Sequence, residues 1–469
     1  MIRSRRLGIG LALAGAVVAV APATTAWAGT RTLQEALTLA YSTNPALLAE
    51  RANVRAVDEN VPAALSGWHP SVSLSANVGA ETGSVFAHSF GGTSATSGYF
   101  GTNSESLLVT QPLYKGGQTV SGTNKAQNQV MGERARLIAQ EQTTFGTVVS
   151  AYVGVILSQQ QLALNVNNEQ VLQRQLQATN DRFRVGEITR TDVAQAESAL
   201  AGATATRQTA EGSLQTARAT YQQAVGEVPD NLTEPQPLRL PAKSLEEAKS
   251  LAGSNNPTVV AALFDDAAAK DNFDLQYSKL MPNLSLQGQL SHTKDSSLTR
   301  ESEKIAQIAV ALTVPIFQGG IEYAAIRQAR QAEQQTRNNI DNARRTAVQQ
   351  AASAWDTVVA AKASVESTRQ QIRADQIALE GVQREAIVGS RTTLDVLNAE
   401  QELLNSRTTL VQSLASLVNA SYVMAAAVGR LTARDLGLQV PLYDETAYYN
   451  AVRNRWMGTG DYATDQPAR

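Results

Sequence analysis

The chain has 469 residues, a formal net charge of −2, 5% aromatic residues and no cysteine. That balance lacks the basic footprint of a nucleic-acid binder, and without cysteine there are neither disulfides nor a lipid carried on an N-terminal thiol. So few bulky side chains exclude a large conventional core. Stretches rich in Ala, Gln, Ser and Thr point instead to long helices packed closely side by side.

The N-terminus pairs a basic segment (Arg3, Arg5, Arg6) with an apolar run from Leu7 to about Ala21, then Ala26-Trp27-Ala28. This predicts a secretory signal peptide over 1–28, cleaved after Ala28. The run is shorter than the roughly 20 residues a spanning helix needs. Cleavage removes three arginines and moves the formal charge to −5. No later stretch reads as a transmembrane helix, so a membrane role would require β-strands.

After a helix opening near Thr32, Ser71 to Val78 alternates apolar and polar residues: Val72, Leu74, Ala76 and Val78 against serines and an asparagine. A Gly/Ser/Thr-rich stretch from Gly83 to Gly101 reads as a surface loop, and Ser104 to Thr110 as a weaker strand. Leu284, Leu286 and Leu290 alternate in the same way, as do Ala306, Ile308, Val310, Leu312 and Val314. Runs of about 8–11 residues suit a tilted membrane-barrel strand, although an ordinary antiparallel sheet with one wet face has the same pattern. Four strands cannot close a barrel and open edges are not tolerated in lipid. In a membrane, further copies would have to bring the count to eight, twelve or sixteen, with cyclic symmetry. Trp68, Tyr114 and Phe317 at one end, and Phe86, Phe90, Tyr99 and Phe100 near the first loop, fit interfacial girdles.

From Gly320 to Val388 there is no proline and one interior glycine, Gly381. A continuous helix there would run about 100 Å at about 1.5 Å per residue. Val358, Val365, Ile372 and Leu379 recur every seven residues. So do Leu397, Leu404, Val411 and Val418, beside a second seam of Leu403, Leu410, Leu417 and Met424. Such seams bury a narrow stripe against neighbouring helices.

The chain is also written twice. Thr32–Ala40 aligns with Ser244–Ala252, Asn44-Pro45 with Asn256-Pro257, and Pro70–Leu74 with Pro282–Leu286, all at an offset of 212. The offset then becomes 203: Gln111-Pro-Leu-Tyr-Lys-Gly-Gly117 matches Val314-Pro-Ile-Phe-Gln-Gly-Gly320, Val185-Gly186 matches Val388-Gly389, and Asp192 matches Asp395. Retained register of proline and glycine marks a duplication. It divides the chain into a first repeat over 29–243, a second over 244–429, a segment over 430–457 and a polar tail, expected to be disordered, over 458–469. Gly186 and Gly389 sit where a long helix should stop. Thr189-x-x-Asp192 and Thr392-x-x-Asp395 then read as capping boxes opening the next helix.

This layout resembles the TolC family of outer-membrane efflux and secretion proteins. The Asn-Pro pairs, the two Gly-Gly motifs, Arg182-Phe-Arg-Val-Gly186 with Thr191-Asp192-Val193, and Val388-Gly389-Ser-Arg391-Thr-Thr-Leu-Asp395-Val-Leu397 carry the resemblance, from about Thr32 to about Leu438. It implies a mainly α fold with β: a homotrimer whose twelve-stranded outer-membrane β-barrel, four strands per chain, continues into a periplasmic barrel of coiled-coil helices. It also implies a mixed belt, here 29–44, 227–256 and the segment after Gly429. The implied function is a passive exit duct for type I secretion or multidrug efflux. It would dock through a periplasmic adaptor onto an inner-membrane ABC, RND or MFS pump and open at its helix tips. In that pattern Asp395 forms an anionic constriction, and Arg391, Asp192, Thr191 and Gln175 hold the tips shut. Asn398 stands where the pattern has a second ring aspartate and Ala386 where it has a tyrosine, so fewer bonds would lock the tip. The resemblance brings no cofactor and no nucleic acid.

No enzyme is expected. The three histidines, His69, His88 and His292, lack metal-ligand spacing, and no phosphate-binding glycine loop or nucleophile elbow is present. A periplasmic adaptor would show one hairpin between β segments, and a structural coiled-coil surface protein would lack the paired strands.

Overall fold

The computed structural model describes residues 32–89, 92–294 and 302–460. The expected signal peptide, Phe90 and the tail from 461 onward lie outside the described residues.

Thr32 opens α1 (Leu33–Thr43) with a capping box, its side chain accepting from the Glu35 N–H while Glu35 accepts from Thr32 N–H. Then follow α2 (Pro45–Asp58), α3 (Asn60–Leu65) and a 3₁₀ turn over Ser66–Trp68. Strands β1 (Ser71–Ser89) and β2 (Gly92–Lys115) lead into α4 (Gln118–Arg184) and α5 (Arg190–Val225). The second half runs in the same order: α6 (Leu245–Asn255), α7 (Pro257–Ser278), β3 (Asn283–Lys294), β4 (Glu303–Thr313), α8 (Ile321–Ile387) and α9 (Thr393–Ala427). A short α10 (Ala447–Val452) closes the chain. Helices α4 and α8 are each 67 residues long, about 100 Å.

The four strands form one antiparallel sheet in the order β1-β2-β3-β4. Its register places Val72, Leu74, Leu107, Val109, Leu286, Leu290, Ile308 and Val310 on one side, and Ser73, Ser75, Ser106, Gln287 and Gln289 on the other. The apolar side is exposed within the chain: Leu74 is 77% and Ile308 84% accessible. Leu113 drops out of register between Pro112 and Tyr114 as a bulge.

One expectation is corrected. The stretch from Gly83 to Gly101 is strand rather than loop, so β1 and β2 reach 19 and 24 residues instead of 8–11, and Ser104–Thr110 is only the inner part of β2. Pairing continues from Ser71↔Thr110 to Ser89↔Gly92. A ladder needs only backbone N–H and C=O groups, and the small Ser, Thr and Gly side chains that suggested a loop do not obstruct it. By length and composition alone, α4 and α9 are apolar enough to cross a membrane, although neither holds an uninterrupted apolar run. Both helices bury apolar residues in the helical layer, among them Phe145, Val148 and Tyr152 on α4 and Val418 and Met424 on α9.

Within the helical layer α4 packs against α5, α7 and α9, and α8 against α7, α9 and α6. Of the seven-residue seams, Val358, Val365, Leu403, Val418 and Met424 are fully buried and Ile372 and Leu379 half-buried. Two cores gird the layer. Leu37 and Tyr41 of α1 pack with Phe145, Val148, Tyr152 and Tyr221. Ala248 and Ala252 of α6 pack with Ala347, Ala351, Val358 and Met424. Alanines at the second contact let backbones approach closely, so a thin layer can be stable without bulky residues.

The short helices are joined end to end by the two Asn-Pro pairs. Asn44 Oδ1 accepts from the N–H groups of Ala46 and Leu47 at the start of α2, while its Nδ2 donates to the Ala224 carbonyl at the end of α5, at 3.1 Å. Asn256 does the same between α7 and α9, accepting from Thr258 N–H and donating to the Ala427 carbonyl at 3.1 Å. Each amide satisfies an orphan donor of one helix and an orphan acceptor of the other. Proline suits the next position because its missing N–H would be unpaired there. Gly429 makes the second junction possible: at φ +80, a Cβ there would lie 2.5 Å from the Asn255 carbonyl oxygen.

A buried ion pair ties the C-terminal segment to α2 and α4. Asp58 is fully buried, 4.0 Å from Arg134, whose guanidinium lies over the Tyr449 ring of α10. Burial, only partly offset by Arg134, pushes the Asp58 carboxyl up to about 6.

Two outcomes are expected. Asn256→Ala should destabilise the helical layer by about 1–3 kcal/mol, a cap plus a buried hydrogen bond. Asn256→Ser keeps the cap acceptor and should lose only about 0.5–1.5 kcal/mol; urea unfolding followed by helical circular dichroism separates them. For Asp58 the folded value lies above the ordinary one, so the fold binds the proton more tightly than the unfolded chain. Its burial penalty is therefore complete above about pH 6 and disappears as the pH falls to about 4. Between pH 7 and 4 the wild-type melting temperature should rise relative to that of Asp58→Asn, whatever the offset between them at neutral pH.

Candidate functional site: the helix tips

The α4–α5 and α8–α9 hairpins reverse at tips of the same construction. At the first, Gly186 takes φ +79; its N–H donates to the Phe183 carbonyl and the Glu187 N–H to the Arg182 carbonyl, both at 3.0 Å. At the second, Gly389 takes φ +82; its N–H donates to Ala386 at 3.2 Å and the Ser390 N–H to Glu385 at 3.0 Å. The left-handed turn satisfies the last carbonyls of a long helix, and only glycine adopts it without strain.

The next helix starts immediately. Asp192 Oδ2 accepts from Thr189 N–H at 2.9 Å and from the Thr189 hydroxyl at 2.7 Å, while Asp192 N–H donates to Thr189 Oγ1. Asp395 repeats this with Thr392 at 2.9 and 2.8 Å. These bonds hold both carboxyls below the ordinary carboxylate range. The hydroxyl leads and the backbone N–H follows at Asp192; at Asp395 the backbone N–H leads. Both aspartates are therefore ionised helix caps within the chain.

Each tip is also bridged by an ion pair, with the charges exchanged. In the first, Arg182 Nε meets Glu187 Oε2 at 3.0 Å; in the second, Arg391 Nε meets Glu385 Oε2 at 2.8 Å. Arg182 and Glu385 are equivalent at the offset of 203, so the helix-side partner of the pair is basic in one copy and acidic in the other. The Glu385 carboxylate raises the Arg391 guanidinium further, with a smaller contribution from Asp395. The sequence reading missed this exchange, although aligning the two copies at that offset sets Arg182 against Glu385.

The structure brings Arg391 to Glu385, not to Asp192, Thr191 or Gln175. Thr191 is exposed on the first turn of α5, and Gln175 is half-buried with its carbonyl accepting from the Thr179 hydroxyl at 2.8 Å. Asn398 is exposed one turn beyond Asp395, and Ala386 is buried at the end of α8. Further up, Gln383 on α8 donates to Glu400 on α9 at 3.2 Å, and burial raises the Glu400 carboxyl. Exposed Val185, Ile387 and Val388 form an apolar end to the tips. Among the described residues, no group of three or more His, Asp or Glu is placed to hold a metal ion.

A family model for outer membrane efflux proteins matches residues 36–227 and 249–430. The chain is 37% identical over 428 residues to the outer membrane efflux protein BepC of Brucella suis, covering 91% of each chain. It is 25% identical to the outer membrane protein TolC of Vibrio cholerae over 71% of this chain and 78% of that one. It is also 24% identical to the alkaline protease secretion protein AprF of Pseudomonas aeruginosa, over 71% and 70%. Among solved structures, the fold is similar to the outer membrane protein VceC of Vibrio cholerae, with a TM-score of 0.73, 19% identity, and 85% and 96% of the two chains covered. The open MtrE channel of Neisseria gonorrhoeae gives 0.71 at 19% identity, over 85% and 89%. These relatives and neighbours are outer-membrane channels, efflux proteins and secretion proteins rather than enzymes. The chain belongs to the outer membrane efflux protein family and is a protein of the outer membrane.

Proposed function

We propose that three copies of this chain form a passive outer-membrane exit duct. The carrying observation is the four-stranded sheet, apolar on one side and polar on the other, joined directly to helices about 100 Å long. The outer edges of β1 and β4 have no partner strand among the described residues. A sheet in hydrocarbon must close, and three copies give a twelve-stranded barrel with lipid on the Leu74 side and the lumen on the Ser73 side. The two halves of the internally repeated chain then contribute equivalent pairs of helices to a twelve-helix periplasmic tunnel, girdled by the α1, α6 and C-terminal segments.

The duct docks through a periplasmic adaptor onto an inner-membrane pump of the ABC, RND or MFS class, which supplies the energy. The matches to efflux proteins and to a protease secretion protein support either cargo. The tips are the gate. Around a threefold axis the Asp395 carboxylates form an anionic ring, and Arg391, freed from Glu385 or shared with it, reaches Asp192, Thr191 or Gln175 of a neighbouring helix. Within one chain the cap keeps Asp395 ionised, whereas mutual repulsion in a ring works the other way. Asn398 and Ala386 leave the gate with one acidic ring and fewer closing bonds.

Single-channel recording in planar bilayers tests this reading. Trivalent cations on the periplasmic side should block the wild-type current, and Asp395→Ala should weaken the block about tenfold or more; unchanged block would reject the gate. Asn398→Asp, which adds a second acidic ring, should strengthen it.

A further inference from the structure

On β2, β3 and β4 a charged row interrupts the apolar side of the sheet, while β1 carries Ala76 and the exposed Val78 past it. Cross-strand pairing aligns Glu105 on β2, His292 on β3 and Lys304 on β4. Lys294, paired with Asn103, stands on the same side one step further from the helices. Immediately below, Leu74, Leu107, Leu290 and Ala306 form an unbroken apolar row. Between the two rows lies a shallow concavity of about 380 Å³, lined by Leu74, Leu107, Leu290, Glu105, His292 and Lys304. Lys294, Lys304 and Glu105 are exposed, whereas His292 is half-buried with its Nδ1 lacking a hydrogen-bond partner. The row spans the middle strands and one edge strand of a single chain, so one copy supplies all of it.

We propose that this concavity binds a phosphate-bearing lipid of the outer leaflet, its headgroup phosphate on Lys304 and Lys294 and an acyl chain along Leu290, Leu107 and Leu74. An apolar floor directly under a cationic lip fits an amphiphile and gives a free anion little to hold. Basic groups at a membrane surface attract anionic headgroups. Glu105 would repel a bare phosphate at close range. It fits a headgroup that carries a divalent cation, because carboxylate and phosphate oxygens are both ligands for hard cations. The site rests on the proposed barrel, in which the Leu74 side faces lipid.

The test uses delipidated full-length protein in detergent, titrated with dioleoyl phosphatidic acid and with magnesium present or chelated. Lys294→Ser/Lys304→Ser should lose about tenfold or more in affinity. Magnesium should tighten binding to the wild type but not to Glu105→Gln. Dioleoylglycerol, which has the chains but no phosphate, should bind no better to the wild type than to the double variant. Equal phosphatidic acid affinity in wild type and double variant overturns the proposal, as does displacement of the lipid by an equal concentration of inorganic phosphate. Both substitutions are on exposed side chains, and circular dichroism confirms that the variant folds. Channel insertion of both proteins is recorded in parallel. Conducting channels with unaltered lipid binding reject the site alone, whereas absence of conducting channels rejects the barrel.

Discussion

Backbone hydrogen bonding in a solvent without water is the constraint on which the other features depend. A strand edge in hydrocarbon leaves N–H and C=O groups unpaired at a cost of several kcal/mol each, and the sheet has two open edges, on β1 and β4. The chain supplies four strands with an apolar side it cannot cover itself. A copy on its own is therefore an incomplete object, and the proposed assembly follows from a need of the backbone rather than from a particular interface residue. The same reasoning explains the composition. With the apolar side of the sheet in lipid, as proposed, a chain whose helices form a single packed layer has no thick core to fill.

The helical wall is built in two ways from one repeated plan. Helices α4 and α8 run unbroken for 67 residues each, whereas the intervening staves are pairs of shorter helices whose ends meet at Asn44 and Asn256. One amide at each junction replaces the hydrogen bonds that a continuous helix would have made. The junctions lie level with the two packed cores, where α1 and α6 lie against the long helices.

The tips combine two demands on the same side chains. Asp192 and Asp395 each use one carboxylate oxygen to start a helix, leaving the other for work outside the chain. The ion pairs with exchanged charges close each turn on itself. A ring gate at Asp395 would thus be assembled from residues already held in place, so that opening moves whole hairpins rather than unravelling their ends. Arg391 differs: its partner is a single exposed glutamate, and exposed pairs are readily exchanged.

Local patterns in the sequence determined a great deal here. Alternation set which side of each strand is apolar, because side chains on a strand point to opposite faces. Missing prolines marked the helix over 321–387, and Gly186, Gly389 and the Thr-x-x-Asp spacing located both tips, because caps and left-handed turns are formed by residues close in sequence. The Asn-Pro pairs were visible as repeat markers, but their second bond was not. Asn256 and Ala427 are 171 residues apart, and only folding brings a helix start against another helix's end. The length of β1 and β2 was misread because Ser, Thr and Gly favour loops locally, and only a paired partner makes them strand. Tertiary structure likewise decided that Arg391 turns to Glu385, that Asp58 is buried beside Arg134, and that Glu105, His292 and Lys304 share one row. The last two depend on register or packing between distant segments, about which neighbours in sequence carry no information; the first is a choice among rotamers within six residues of one tip.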